Sequence, residues 1–156
     1  MPGSTISRLT DHGLFTRAGA EIGVASTKAF TAQLSCILLL ALFLGKKRDL
    51  STARYENILK EFEKIPEKIE QILDARDAIK NIAKDLANYR DFFFLGRHFM
   101  LPIAYESSLK FKEITYLHSE AYPTGELKHG PLALIDEKTP SIVFMPADEM
   151  YEKNNS

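Results

Sequence analysis

Asp91-Phe92-Phe93-Phe94-Leu95-Gly96 is the stretch on which the fold turns. Four consecutive large apolar residues leave no polar face, so neither an amphipathic helix nor a half-exposed strand fits. A short strand covered on both sides does fit, and such strands belong to parallel sheets. Downstream, the sequence predicts a helix from about Pro102, with proline acceptable in its first turn. A loop rich in Gly and Pro follows from Tyr122 to Pro131, then a short apolar piece from Leu132 to Ile135 and a second buried-type strand from Ser141 to Met145. Strand, helix and strand in this order make a βαβ unit with parallel pairing and a right-handed crossover.

Upstream of Asp91 the periodicity is helical. Ser26 or Thr27 is expected to cap a helix running from about Lys28 to Lys46. Its second half is apolar nearly all round, which predicts burial on several sides. Gly45 and the cations Lys46, Lys47 and Arg48 suit its end. Ser51-Thr52 restarts a helix, and Tyr55, Ile58, Leu59, Phe62, Ile65, Ile69 and Ile72 recur at three- and four-residue spacing. Pro66 should kink or split it. Asp77 is expected to cap a further helix with Ile79, Ile82, Ala83 and Leu86 on one stripe. The Glu and Lys residues between these positions read as solvated faces. Ahead of all this, Leu14-Phe15-Thr16 has the makings of a short strand without an earlier partner, a hint that the chain starts partway through a domain.

Composition bounds the function. With 45% hydrophobic and 26% charged residues in 156, the chain is globular and about one domain in size, which excludes disorder and collagen-like repeats. Lys+Arg 20 against Asp+Glu 21 leaves a net charge of -1, so no overall field draws nucleic acid, and no nucleic-acid partner is expected. Cys36 alone excludes an internal disulfide framework and a Cys-rich zinc site, and suits a reducing, cytoplasmic setting. The apolar run Cys36 to Leu44 is far short of the roughly 20 residues a bilayer span needs, and the start lacks a basic n-region, so no membrane partner is expected.

Three groups of residues could carry chemistry. On the helix after Pro102, Glu106, Lys110, Glu113 and Leu117 share one stripe flanked by Ile103 and Ile114, while Ser108, Lys112 and Thr115 face elsewhere. A carboxylate beside a lysine at a core edge can serve as a general base, because burial raises its pKa and the cation lowers it. The same spacing also describes a plain i,i+3 ion pair. His129, between Gly125 and Gly130-Pro131, has the freedom and proton affinity for acid–base work, and equally reads as a surface loop histidine. His12, His98 and His118 lack partners at metal-binding spacing, so no metal is expected. Gly19 to Lys28 places glycines before a Ser-Thr helix start, either an anion cradle or a simple cap. Neither the phosphate-loop pattern nor the three-glycine dinucleotide fingerprint is present.

These groups together carry a resemblance. Ala20 to Thr31 (AEIGVASTKAFT), Leu109 to Ile114 (LKFKEI) and Glu120 to Ile135 (EAYPTGELKHGPLALI) closely resemble, in order, the isomerase half of the glutamine–fructose-6-phosphate aminotransferases, also called glucosamine-6-phosphate synthases. The resemblance runs over essentially the whole chain. It implies sugar isomerase (SIS) domains: an α/β fold, a three-layer α/β/α arrangement with a parallel sheet, here partial and helix-rich. Residues 1–50 would end a first SIS domain, 51–90 would be a helical connection, and 91–156 would open a second.

The resemblance further implies conversion of fructose 6-phosphate and glutamine-derived ammonia to glucosamine 6-phosphate, without a cofactor. Glu113 would move a proton between sugar carbons C1 and C2. His129 would assist ring opening at the site of the neighbouring subunit of a homodimer. Lys110 would position the open-chain sugar and tune Glu113, and Val24 and Ser26 would line the sugar-phosphate site. The family's glutaminase half, its Ser/Thr-rich phosphate loop and its closing lysine segment are not in this sequence, so the 156-residue chain alone is expected not to make glucosamine 6-phosphate. A non-catalytic SIS module that binds a sugar phosphate for regulation is the alternative, and it need not keep Lys110, Glu113 and His129 together. An oligomerisation piece built on the Cys36 to Leu44 helix is compatible with either.

Overall fold

The computed structural model describes residues 3–147 and 151. It divides into two compact units, Met1–Arg76 and Asp77–Ser156.

The first unit is helical: α1 (Thr5–Leu9), α2 (Lys28–Lys46), α3 (Thr52–Glu63) and α4 (Ile65–Asp74). The Ser51 hydroxyl caps α3 by accepting the Arg54 N–H at 3.3 Å. Pro66 splits the helical stretch rather than kinking it. Proline has no N–H and its ring would meet a carbonyl one turn back, so α3 stops at Glu63 and Pro66 falls in the first turn of α4.

Two expectations fail in this unit. Leu14-Phe15-Thr16 forms no strand; Leu14 is 61% exposed, and with no strand beside it the segment has nothing to pair with. The other concerns α2, where only Leu42 is buried, while Ile37 and Phe43 are 63% and 55% exposed. Within the unit α3 is its main neighbour, and a single helix covers one side of a helix that is apolar all round. A groove of about 600 Å³ runs between α2 and the α3–α4 corner, with Leu34, Leu38, Phe62 and Ile69 among its walls. By length and composition alone, α2 is the one helix among the described residues that could cross a membrane. The same composition suits a helix enclosed by protein.

The second unit opens with α5 (Arg76–Leu86). Asp77, expected to cap this helix, lies instead in its first turn, one residue after its start at Arg76, where a negative charge still complements the helix dipole. Then come β1 (Asp91–Gly96), α6 (Met100–Thr115), β2 (His118–Pro123), two 3-10 turns (Thr124–His129 and Pro131–Leu134) and β3 (Ser141–Val143). The sheet order is β2-β1-β3, with both pairings parallel. Asp91 sits opposite His118 and Gly96 opposite Pro123, while Phe93 to Leu95 lie beside Ser141 to Val143. β1 is therefore central, and Phe92 through Leu95 are each at most 5% exposed, buried on both faces as the unbroken apolar run predicts.

The core forms where α6 lies on one face of β1. The Phe111 ring packs against Phe92 and Phe94 at centroid distances of 4.5 and 5.5 Å, with Ala104 fully buried beside them. Burying one such ring is worth roughly 1.5–3 kcal/mol. The β1–α6 connection is tight: a β-carbon on Gly96 would lie 2.6 Å from the Met100 carbonyl carbon and 2.9 Å from the Leu101 amide nitrogen. At the other end of α6, Tyr116 adopts a left-handed conformation (φ 58°) and donates its N–H to the Lys112 carbonyl, turning the chain into β2 two residues later.

β2 itself is a departure. The sequence predicts the next strand at Ser141, yet the chain leaving α6 pairs first at His118. What seats β2 is a buried hydroxyl clasp. The Ser119 hydroxyl donates to the Ser108 carbonyl at 3.1 Å, and the Ser108 hydroxyl donates to the Ser119 carbonyl at 3.2 Å. Both serines are at most 2% exposed. Ser108 thus lies on the core face of α6, and Ile114, expected to flank the core, is 64% exposed.

Candidate functional site

α6 sets the first group. Residues 106, 110 and 113 are spaced by one turn each, so their side chains meet along one edge of the helix. The Lys110 ammonium donates to Glu113 Oε2 at 2.7 Å and lies 3.5 Å from Glu106 Oε1. The three side chains are 18–28% exposed, at the boundary between core and solvent. The hydrogen bond to Glu113 is the main cause that raises the Lys110 pKa above the ordinary lysine value; partial burial opposes it, and the charges of Glu113 and Glu106 add to it. Lys110 is therefore a fixed cation, and Glu113 an anchored carboxylate with a second oxygen that this hydrogen bond leaves free to take a proton. Glu106, Lys110 and Glu113 share one edge as read from the sequence, while Leu117, expected on the same stripe, lies beyond the end of α6 at Thr115; the edge sits on the wet shoulder of the helix beside the Ala104–Ser108–Phe111 face.

His129 ends the 3-10 turn that follows β2 and is exposed. With Tyr122, Glu126, Gly130, Pro131 and Leu134 it lines a cleft of about 460 Å³. Gly130 has φ 149°, a conformation a side chain would strain, and this lets the chain turn sharply from one 3-10 turn into the next. Lys110 and Glu113 do not line that cleft. The structure thus brings Lys110 and Glu113 together and gives His129 a cleft of its own. The other expected loner, His118, pairs its Nδ1 with Asp91 Oδ1 at 3.0 Å, joining the starts of β1 and β2.

In the first unit, Gly19 to Lys28 is organised by a residue the sequence did not single out. Glu21 Oε1 accepts the N–H groups of Thr27 at 2.9 Å and Ala29 at 3.1 Å. Thr27 stands at the N-cap position, but its hydroxyl makes no capping bond. The cap is supplied from six and eight residues away. The Ala29 N–H, then the Thr27 N–H, hold the Glu21 carboxyl below the usual carboxylate range, helped by the Ser26 hydroxyl and the Lys28 charge against a small desolvation cost. Two amides that could have met an external anion are thus taken by an internal one. Val24 is 88% exposed and Ser26 is half-buried.

A depressed folded-state pKa contributes stability above the unfolded value and loses it as pH falls through the folded one. Exchange protection of the Thr27 and Ala29 amides, taken relative to the intrinsic rate at each pH, should therefore be high near neutrality and fall on acidification below the ordinary carboxylate range. In Glu21→Gln that acid dependence should disappear; identical profiles in both proteins would show that Glu21 does not cap α2.

The SIS domain family model matches residues 1–43 and 85–156. The chain belongs to the SIS domain family. SIS-domain relatives similar to it include the glutamine–fructose-6-phosphate aminotransferase of Thermus thermophilus, 46% identical over 99% of this chain and 26% of the relative. The corresponding protein of Chlorobaculum tepidum is 49% identical over 97% of this chain and 25% of its own length. Among solved SIS-type structures, the C-terminal domain of glucosamine-fructose-6-phosphate aminotransferase from Francisella tularensis superposes with a TM-score of 0.95 at 41% identity, covering 99% of this chain and 43% of that one. The fold is thus the helix-rich, parallel-sheet SIS fold. The chain spans about a quarter of the length of the curated relatives it matches.

Proposed function

We propose that this SIS chain supplies proton-transfer residues to the isomerase half of a glutamine–fructose-6-phosphate aminotransferase, which makes glucosamine 6-phosphate from fructose 6-phosphate and glutamine-derived ammonia. The observation that carries the reading is the Lys110–Glu113 pair, a carboxylate anchored at 2.7 Å by a fixed ammonium on a semi-exposed helix edge. In this reading ammonia condenses with the C2 ketone of the open sugar, expelling water, and Glu113 takes a proton from C1 of the resulting imine and returns it to C2 through an enolamine, while the C1 hydroxyl proton passes to the nitrogen, leaving the aldehyde at C1 and the amine at C2. One base on one face of the sugar suffices for both transfers. Lys110 positions the open chain. His129 serves ring opening, a step that wants a group titrating near neutrality. Val24 and Ser26 line the site of the sugar phosphate.

The reading extends to a cytoplasmic homodimer in which His129 completes the site of the other subunit; its separate cleft supports that division of labour. It also takes residues 1–50 as the end of one SIS domain, 51–90 as a connection and 91–156 as the start of another. The two matched stretches, with the helical segment between them unmatched, support that division.

Grafting this chain in place of the matching quarter of the Thermus thermophilus relative tests the proposal. The chimera should form glucosamine 6-phosphate from fructose 6-phosphate and glutamine. A folded chimera that still cleaves glutamine but makes no product would overturn it.

A further inference from the structure

Lys110 has two carboxylate neighbours, and the reaction above uses one of them. Glu106 stands one turn before Lys110 and Glu113 one turn after it, so the ammonium is held from both sides along the helix edge, at 3.5 and 2.7 Å. A base that works by gaining and losing a proton has a weakness in this arrangement. Each time Glu113 becomes neutral, its attraction for Lys110 falls, and a flexible four-carbon side chain is free to swing into solvent. Glu106 takes no part in the proton transfer, so its contact with Lys110 at 3.5 Å does not depend on that step.

We propose that Glu106 is a positioning residue for this site: it retains the Lys110 ammonium while Glu113 is protonated, so that Lys110 is in place when Glu113 ionises again. The inference rests on the proposed role of Glu113. The charges that act on Lys110 are those of Glu113 and Glu106, both from α6.

The test is side-chain NMR on the chain itself, following the Glu113 carboxyl carbon and the Lys110 Cε and Nζ signals with pH. In Glu106→Gln the Lys110 midpoint should move down, because the Glu106 charge that favours the ammonium is gone. The melting temperature and amide spectrum should hardly change. In Glu113→Gln, which mimics the protonated base, Lys110 should remain ordered; in Glu106→Gln combined with Glu113→Gln it should become mobile. Should a glutamine variant not fold, Glu106→Asp, which draws the carboxylate back by one methylene, should shift the Lys110 midpoint in the same direction by less. A pair that only stabilises the helix would lower the melting temperature and leave the Lys110 midpoint in place. That result, or equal Lys110 mobility in the single and double variants, overturns the proposal. No sugar is present in these measurements. An inactive chimera with the titrations intact would therefore remove the isomerase reading and not the Lys110 clamp, while unmoved titrations in an active chimera would remove the clamp alone.

Discussion

Glu113→Gln in the active chimera should lower the rate of glucosamine 6-phosphate formation by about 10²–10⁴-fold, the usual contribution of a positioned general base. Glutamine keeps the length of the side chain and an oxygen that can still accept the Lys110 hydrogen bond seen at 2.7 Å, so helix and pair should survive. It cannot accept a proton from carbon. The loss should therefore fall on kcat, with KM for fructose 6-phosphate changed little, since an interaction made only in the transition state has been removed. Glutamine cleavage should continue, because that chemistry lies elsewhere in the relative. A variant within a few-fold of the parent would remove Glu113 from the mechanism and leave the pair an ordinary i,i+3 bridge, worth well under 1 kcal/mol at a surface.

Gly96→Ala should be the most damaging small substitution in the second unit. The added carbon would sit 2.6 Å from the Met100 carbonyl carbon, and what it strikes is backbone, which cannot rotate aside. Relief requires moving the start of α6 away from the end of β1, and that shift travels along the helix to the Phe111 ring between Phe92 and Phe94. Overpacking of this kind costs about 1–3 kcal/mol and sometimes more, a large share of a typical domain stability of roughly 5–15 kcal/mol. Urea unfolding should show a clear fall in midpoint at unchanged slope. Alanine at Gly13, where a β-carbon meets nothing within 4 Å, is the control and should be near neutral. Equal midpoints for the two variants would mean that the β1–α6 junction is looser than its geometry.

Much of this was legible before any coordinates, and the reason differs from element to element. Phe92 to Leu95 declare a doubly covered strand because four adjacent apolar side chains have no other soluble arrangement. α2 runs from Lys28 to Lys46 as read, although the Thr27 hydroxyl expected to cap it makes no such bond, and Pro66 divides α3 from α4 for a reason confined to its own ring. β2 was hidden: His-Ser-Glu-Ala-Tyr-Pro has no apolar alternation, and it is seated by a serine clasp between residues 11 apart that exists only once α6 lies on the sheet. Glu21 was hidden for the same reason, because it reaches Thr27 and Ala29 through a fold of the loop rather than through the spacing of a capping motif. Of the site, the stripe Glu106–Lys110–Glu113 followed from helical spacing alone, since one turn per step is local geometry. Its position beside the core, rather than on it, depended on Ser108 turning inward, and a polar residue gives no hint of that.

The Glu106–Lys110–Glu113 edge has one cation between two carboxylates and so a local surplus of one negative charge. A phosphate dianion is repelled by such an edge, and a neutral carbonyl carbon is not. In the proposed reaction, a hexose phosphate meeting it would be sorted head from tail, with the esterified end turned away and the hydroxyketone end left free to approach. On that proposal the helix shoulder would act as a polarity filter before any bond is touched.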